Sequence, residues 1–304
     1  MSMDAFGVFQ RNWLDISILF VRKVFCLLYL SSSFALPAYS EPFYFTAIPS
    51  SDSEWNKTRF HRLEQFLSSR LKLETKYIPS KNYEESVGLF REGKILLGWF
   101  SGVTGVQAQN AVPNSEAIVQ GFEDLYFKSF FIAHNKINIR ASRKFPYQIK
   151  GLRFLFGSPK STSGRLMPEY YLRQYLGNKF ASYFTEIGYS ENHSNTIKEV
   201  MAGRYDVGVV NYKVWNSAVE RQEVDLQRVS VIWETPSYSD YHWVVSGNAI
   251  EIYGEPFKSR LTEVLLEMNS QSGLLSIFRR SHFVPARNSD YKELRSIMVE
   301  YKIQ

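Results

Sequence analysis

The chain has 304 residues, of which 44% are hydrophobic and 22% charged, with a net charge of +6. That length carries one large domain or two modest lobes, and that composition buries a sizeable core and excludes wholesale disorder. No dense Lys/Arg run appears, which argues against a nucleic-acid partner. Cys26 is the only cysteine, so neither a disulfide nor a thiolate metal centre can form within the chain.

The N-terminus has the features of an export signal. Arg22 and Lys23 supply positive charge, Val24 to Leu30 is an apolar run, and Ala38-Tyr39-Ser40 offers small residues two apart. Neither apolar half reaches the ~20 residues of a spanning helix. Cleavage after Ser40 leaves a mature chain of net charge +5 with no cysteine, suited to an oxidising periplasm.

Beyond residue 40 the apolar periodicity predicts a strand at Phe43–Ile48, a helix over Trp55–Leu71, a strand at Glu74–Ile78 and a helix over Asn82–Glu92. A strand at Ile95–Phe100 follows and runs into Ser101-Gly102. Ala117–Val119 reads as a strand. Phe127–Ala133 reads as an apolar passage between lobes, and Phe154–Phe156 as a strand ending at Gly157-Ser158. Helices are predicted over Ser161–Tyr175, Asn195–Met201 and Pro256–Met268. Strands are predicted at Asp206–Asn211 and Val229–Trp233, with a return crossing at His242–Val245. This rhythm, repeated before and after about residue 125, predicts two α/β lobes. Each is a mixed, mostly parallel sheet flanked by helices, with a ligand cleft at the carboxyl ends of the strands. Lobe 1 is assigned to 41–127 and 243–304, and lobe 2 to 128–242.

Three stretches carry candidate chemistry. Gly157-Ser158-Pro159-Lys160-Ser161-Thr162-Ser163-Gly164 joins a strand end to a helix start, where free amides and hydroxyls suit a tetrahedral anion. The same residues would also serve as an ordinary N-cap, and the Gly-Lys-Ser/Thr ending of a Walker A loop is absent. The second stretch, Trp99-Phe100-Ser101-Gly102-Val103-Thr104-Gly105, ends a strand in aromatics at another helix start. Tyr238-Ser239-Asp240-Tyr241-His242-Trp243, the third, combines ring faces with hydrogen-bonding groups that can line a cleft. His193 lies in a polar loop before a helix and can donate to an anion. The five histidines show no zinc spacing, and there is no Gly-x-Ser-x-Gly elbow.

These stretches occur in the order found in the periplasmic phosphate/phosphite/phosphonate-binding proteins of ABC transporters, which the chain resembles over most of residues 42–250. The matching residues are Ala47-Ile48-Pro49, Gly98 to Ala108, Phe156-Gly157-Ser158 into Ser161 to Pro168, the loop around His193, the strand through Asp206 and Asn211, and Thr235-Pro236 into Asp240 to Trp243. The Trp99 to Ala108 segment looks closest to a selenate-binding branch. The resemblance implies a type II periplasmic binding fold that closes on its ligand, with Ser161, Thr162 and Ser163 gripping an oxyanion. It further implies ligand contacts from His193 and Asp240, beside cleft walls of Trp99, Phe100, Ser101 and Tyr241. Thr104-Gly105 stands where phosphonate binders often carry Tyr, which favours a smaller oxyanion over an aminophosphonate. The implied protein is a solute-binding component of an ABC importer that captures phosphonate, phosphite, phosphate or a selenate-like anion. It is monomeric, needs no cofactor or metal, and partners an inner-membrane permease. A periplasmic sensor for a signalling receptor, or an enzyme on the same fold, are the alternatives.

Overall fold

The computed structural model describes residues 41–49 and 53–302. The export signal read over 1–40 and Cys26 within it lie outside the described residues. No helix among the described residues is long and apolar enough to cross a membrane.

The first half of the chain forms β1 (Phe43–Ala47), α1 (Ser53–Leu71), β2 (Thr75–Tyr77), α2 (Tyr83–Arg91), β3 (Leu97–Phe100), α3 (Gly102–Ala111) and β4 (Glu116–Gly121). A 3-10 turn, Phe122–Tyr126, leads out of this sheet to β5 (Ser129–His134). Then come β6 (Arg153–Phe156), a π-turn at Thr162–Leu166 continuing into α4 (Met167–Leu176), β7 (Glu186–Tyr189), α5 (His193–Met201), β8 (Val207–Asn211), α6 (Tyr212–Glu220) and β9 (Val229–Glu234). The chain then returns through β10 (His242–Val245), α7 (Gly247–Tyr253), α8 (Glu255–Glu267), α9 (Ser272–Phe278), β11 (Phe283–Pro285) and α10 (Lys292–Glu300).

One sheet has the order β11-β4-β10-β3-β1-β2 and the other β7-β6-β8-β5-β9. Both sheets are mixed, as expected: β1–β2, β1–β3, β6–β7 and β6–β8 are parallel, whereas β10 runs against β3 and β4, β11 against β4, and β5 against β8 and β9. The reason is geometric. The parallel strands finish at the edge where the chain passes between sheets. A strand entering from that edge must therefore run the opposite way, and β5 and β10 are the two entering strands. His242–Val245 is accordingly a strand inside the first sheet rather than the crossing itself. The two passages touch just before it, through paired backbone hydrogen bonds between Phe127 and Tyr238 (2.9 and 3.0 Å).

Each sheet buries an apolar core. Phe60, Leu63 and Leu67 recur on one face of α1 and pack beneath the first sheet, around the wholly buried Trp243. Phe131, Phe154 and Trp233 form the corresponding aromatic core of the second. Glycine is required where α3 lies on β10: a Cβ at Gly105 would stand 2.3 Å from His242 Nε2, and that ring is itself stacked on Tyr291 at 3.8 Å.

Candidate anion-binding cleft

The loop after β6 does not begin an ordinary α-helix. Leu166 N–H donates to Ser161 O (3.1 Å), five residues back, and Gly164 N–H to the Ser161 hydroxyl (2.9 Å). The helix start is thus a π-turn, wider than an α-turn, a form that recurs at functional sites. Gly157 N–H holds Gly164 O at 2.8 Å, and a Cβ at Gly164 would meet Gly157 Cα at 3.1 Å and His193 Cε1 at 3.0 Å. From behind, Ser129 Oγ donates to Ser163 O (2.7 Å) and pairs with Tyr238 OH (2.6 Å). A hydroxyl has one proton, so Tyr238 is the donor in that second bond.

The helix start of α3 faces this turn. Gly102 N–H donates to Asp240 Oδ1 (2.9 Å) and Val103 N–H to Thr162 Oγ1 (2.8 Å). Two of the orphan amides of α3 are therefore satisfied by groups from across the cleft. Ser101 turns its hydroxyl to Thr104 (3.1 Å). Tyr83, at the start of α2, joins the cluster through side-chain hydrogen bonds to Ser161 and Tyr241, and burial pushes its phenol up to about 12. Tyr241 OH also accepts from Asn211 Nδ2 (3.2 Å).

Three buried polar atoms at this place have no hydrogen-bond partner: Ser163 Oγ, His193 Nε2 and Asp240 Oδ2. Their protonation follows from their neighbours. Asn211 N–H, which can only donate, approaches His193 Nδ1 at 3.3 Å, so Nδ1 holds the lone pair and Nε2 the proton. Burial lowers the His193 pKa to about 4, which keeps this neutral tautomer at pH 7. Asp240 is wholly buried, and burial raises its carboxyl to about 8 despite the Gly102 amide, so at neutral pH it carries a proton. All three orphan atoms can then donate, and an acceptor-rich anion is what such a set lacks. His242 has the opposite tautomer: its Nδ1 faces Asp240 O (3.0 Å) and so bears the proton, leaving only a lone pair at Nε2.

The structure thus brings Ser161, Thr162, Ser163, His193, Asp240 and Tyr241 to one side of the cleft region. His193 is not in a loop, as its sequence suggested. Asn192 caps α5 by accepting from Asn195 N–H (2.9 Å), which makes His193 the first helical residue and buries it. Phe100 is corrected from cleft wall to core. Strand alternation turns it away from Trp99 to pack edge-on against Phe90 at 5.6 Å. Trp99 stacks on Tyr241 at 5.8 Å. Tyr83, Ser129 and Asn211 were missed as site residues. The available signal was position, because each lies at a strand end or helix start on the edge where the parallel strands finish.

Beneath this cluster sits a buried ion pair. Arg280 donates to both oxygens of Asp124 at 2.6 Å. Its guanidinium also lies over Trp99, Phe127 and Tyr241 at 5.2–5.7 Å. Burial opposes the Arg280 charge, but the Asp124 carboxylate outweighs it and holds the guanidinium above its usual range. Nearer the surface, Lys213 Nζ reaches Glu123 Oε1 (2.9 Å), which also accepts from Ser281 N–H (3.0 Å). A cavity of about 90 Å³ lies beside the donor cluster, sharing Trp99, Asn211 and Tyr241 as its wall. Among the described residues no group of His, Cys, Asp or Glu is arranged to hold a metal ion.

Two mixed α/β halves meeting at a donor-lined cleft define a type II periplasmic binding protein. Residues 45–291 match the family described as ABC transporter, phosphonate, periplasmic substrate-binding protein, and the chain belongs to that family. It is 36% identical over 281 residues, 88% of this chain and 93% of its relative, to the probable ABC transporter phosphite binding protein PhnD1 of Prochlorococcus marinus (strain MIT 9301). The structure of that PhnD1 in complex with methylphosphonate superposes with a TM-score of 0.79 at 34% identity, covering 86% of this chain and 98% of that one. A binding protein component of an ABC phosphonate transporter from Pseudomonas aeruginosa follows at TM-score 0.72 and 19% identity, covering 86% and 87% of the two chains. The aliphatic sulphonate binding protein SsuA of Escherichia coli shares the fold at TM-score 0.59 and 12% identity, over 87% and 88%. The selenate-binding branch expected from Trp99 to Ala108 is not confirmed; these relatives carry phosphite, phosphonate or sulphonate names.

Proposed function

We propose that this chain captures a compact phosphorus oxyanion, of methylphosphonate or phosphite size, in the periplasm and delivers it to an inner-membrane permease. The observation that carries this reading is the set of orphan donors at Ser163, His193 and Asp240. The relatives' ligands support it. The exported, signal-cleaved chain acts as a monomer. Its halves, 41–127 with 243–304 and 128–242, close on the anion by hinge motion at the paired passages. The Val103–Thr162 hydrogen bond joins these halves in the closed form. No chemistry on the ligand is part of the proposal, because the His193 lone pair is occupied by an amide and cannot serve as a base for a hydroxyl.

Isothermal titration with methylphosphonate, phosphite, phosphate, sulfate and selenate tests the reading. Methylphosphonate or phosphite should bind most tightly. At 100 times its dissociation constant the best ligand should add about 2.7 kcal/mol of stability. Affinity should weaken as pH rises above about 8, where Asp240 ionises and repels the anion. Equal, weak binding of all five anions would sink the proposal.

A further inference from the structure

The parallel strands of the second sheet, which carry the anion-suited turn beyond their carboxyl ends, also share an amino end built from different residues. There the segments before β6 and β7 meet: Gly151 N–H donates to Tyr183 O (2.6 Å) and Thr185 N–H to Leu152 O (3.1 Å). The last turn of α4 closes the same end, with Tyr175 stacked on Phe145 at 4.5 Å. Phe145 is buried and packs edge-on against Trp233 at 5.3 Å, which ties this surface to the core. Three tyrosines around it stay exposed, Tyr147 at 52% and Tyr175 and Tyr183 at 41% each. Lys150 Nζ bridges two of them, 4.3 Å from the Tyr183 ring and 5.7 Å from that of Tyr147. Charge at this end is of one sign. Between Asp124 and Glu186 the only acid is Glu169, and Arg165 and Arg173 hold it. Glu186 itself accepts from Tyr205 OH (2.8 Å). Lys128 and Arg153 are paired with Glu234 and Asp206. The exposed Arg140, Arg143, Lys144 and Lys179 form no ion pair among the described residues, which include this whole span.

Cations beside exposed tyrosine rings are what a protein surface presents to lipid headgroups: stems and rings lie along the apolar boundary while charge and hydroxyl stay in water. The permease of the proposed function sits in a bilayer, so a plane of headgroups is within reach of this protein. We propose that this end of the second half is a docking surface for anionic phospholipid, with Arg143, Lys144 and Lys150 drawing the headgroups and Tyr147 and Tyr183 seated among them. The proposal goes beyond the anion grip and shares with the proposed function only its setting beside the inner membrane. Because the donor cluster lies at the other end of the strands, the docked protein still takes up solute. It must let go to meet the permease, so the hold is weak, reversible and salt-sensitive, and it raises the protein's concentration at the membrane.

Flotation with lipid vesicles tests this, using the exported protein without ligand. Vesicles of about three parts phosphatidylcholine to one part phosphatidylglycerol should bind it, pure phosphatidylcholine should not, and added salt should release it. Arg143→Gln with Lys144→Gln and Lys150→Gln should weaken binding more than about tenfold. Tyr147→Ser with Tyr183→Ser should weaken it about threefold and leave the salt dependence unchanged. The control is Arg62→Gln with Lys81→Gln and Lys292→Gln, which removes the same charge from exposed residues of the other half and should change binding less than about twofold. If the triple variant does not fold, Arg143→Gln with Lys144→Gln, in an exposed loop, should weaken binding about fivefold. Equal binding to both kinds of vesicle, or equal weakening in variant and control, overturns the docking surface. Tighter binding to polyglutamate or to a DNA duplex, lost in the same variant, assigns the surface to another polyanion and overturns it too. Failure of the parent protein to bind methylphosphonate, phosphite or phosphate defeats the proposed function alone, since the vesicle result is read without ligand.

Discussion

Two buried polar clusters lie almost in contact, and they are built to opposite rules. The Asp124–Arg280 pair is complete: two short hydrogen bonds and three aromatic faces surround one guanidinium. The cluster of Ser163, His193 and Asp240 is incomplete, with a donor left over on each residue. A buried polar group without a partner costs about 1–3 kcal/mol. The first cluster minimises that cost within the chain, whereas the second does not, which the proposed ligand would relieve. Burial alone therefore does not mark the candidate site; three atoms able to donate and left without partners in one place do.

The contrast can be broken most forcefully at the complete cluster. Arg280→Leu should destabilise the protein by about 3–5 kcal/mol in chemical denaturation, because Asp124 is left buried and unpaired. A loss below 1 kcal/mol would mean that the pair does not hold the hinge region together.

At the incomplete cluster the expected signature is in pH. The Asp240 carboxyl stands at about 8 in the folded protein against 3.8 for the free group. Between those values the folded state keeps a proton that the unfolded state has released, so stability falls as pH rises toward 8. His193 and His242, both lowered to about 4 by burial, act in the opposite sense up to 6.5. The clean window is thus pH 6.5 to 8, where the ligand-free protein should lose up to about 1.4 kcal/mol per pH unit. Asp240→Asn should flatten that slope. An unchanged slope in the variant would assign it elsewhere.

Thr162→Ala with Ser163→Ala should weaken the best anion about a hundredfold by titration calorimetry, with little change in the unfolding of the empty protein. Comparable losses in both would make the turn a structural cap like any other. Gly105→Ala should cost about 1–3 kcal/mol of stability, because the added methyl meets the His242 ring that Tyr291 holds in place. The smallest effect is expected at Lys213→Gln, which removes a partly exposed ion pair to Glu123 and should change ligand affinity by less than about 1 kcal/mol.

Much of the donor cluster was legible because it is local. Ser161, Thr162 and Ser163 sit between a strand end and a helix start, and such a junction exposes amides whatever the rest of the chain does. Phe100 shows the limit: a strand end in Trp-Phe puts one ring toward the cleft and one into the core, and alternation alone does not say which. Tyr83 offered only its place at a helix start, and its partners Ser161 and Tyr241 are distant in sequence.

By itself the sequence determined the strand–helix rhythm, the anion-suited turn after β6 and the family to which the chain belongs, because periodicity and capping act over a few residues. Tertiary structure alone decided which way β5 and β10 run, which histidine presents a proton, and that Asp240 is neutral. Those properties depend on burial and on hydrogen bonds between residues far apart in the chain, as between Gly102 and Asp240. Long-range contacts of that kind are set by packing, which no local pattern encodes.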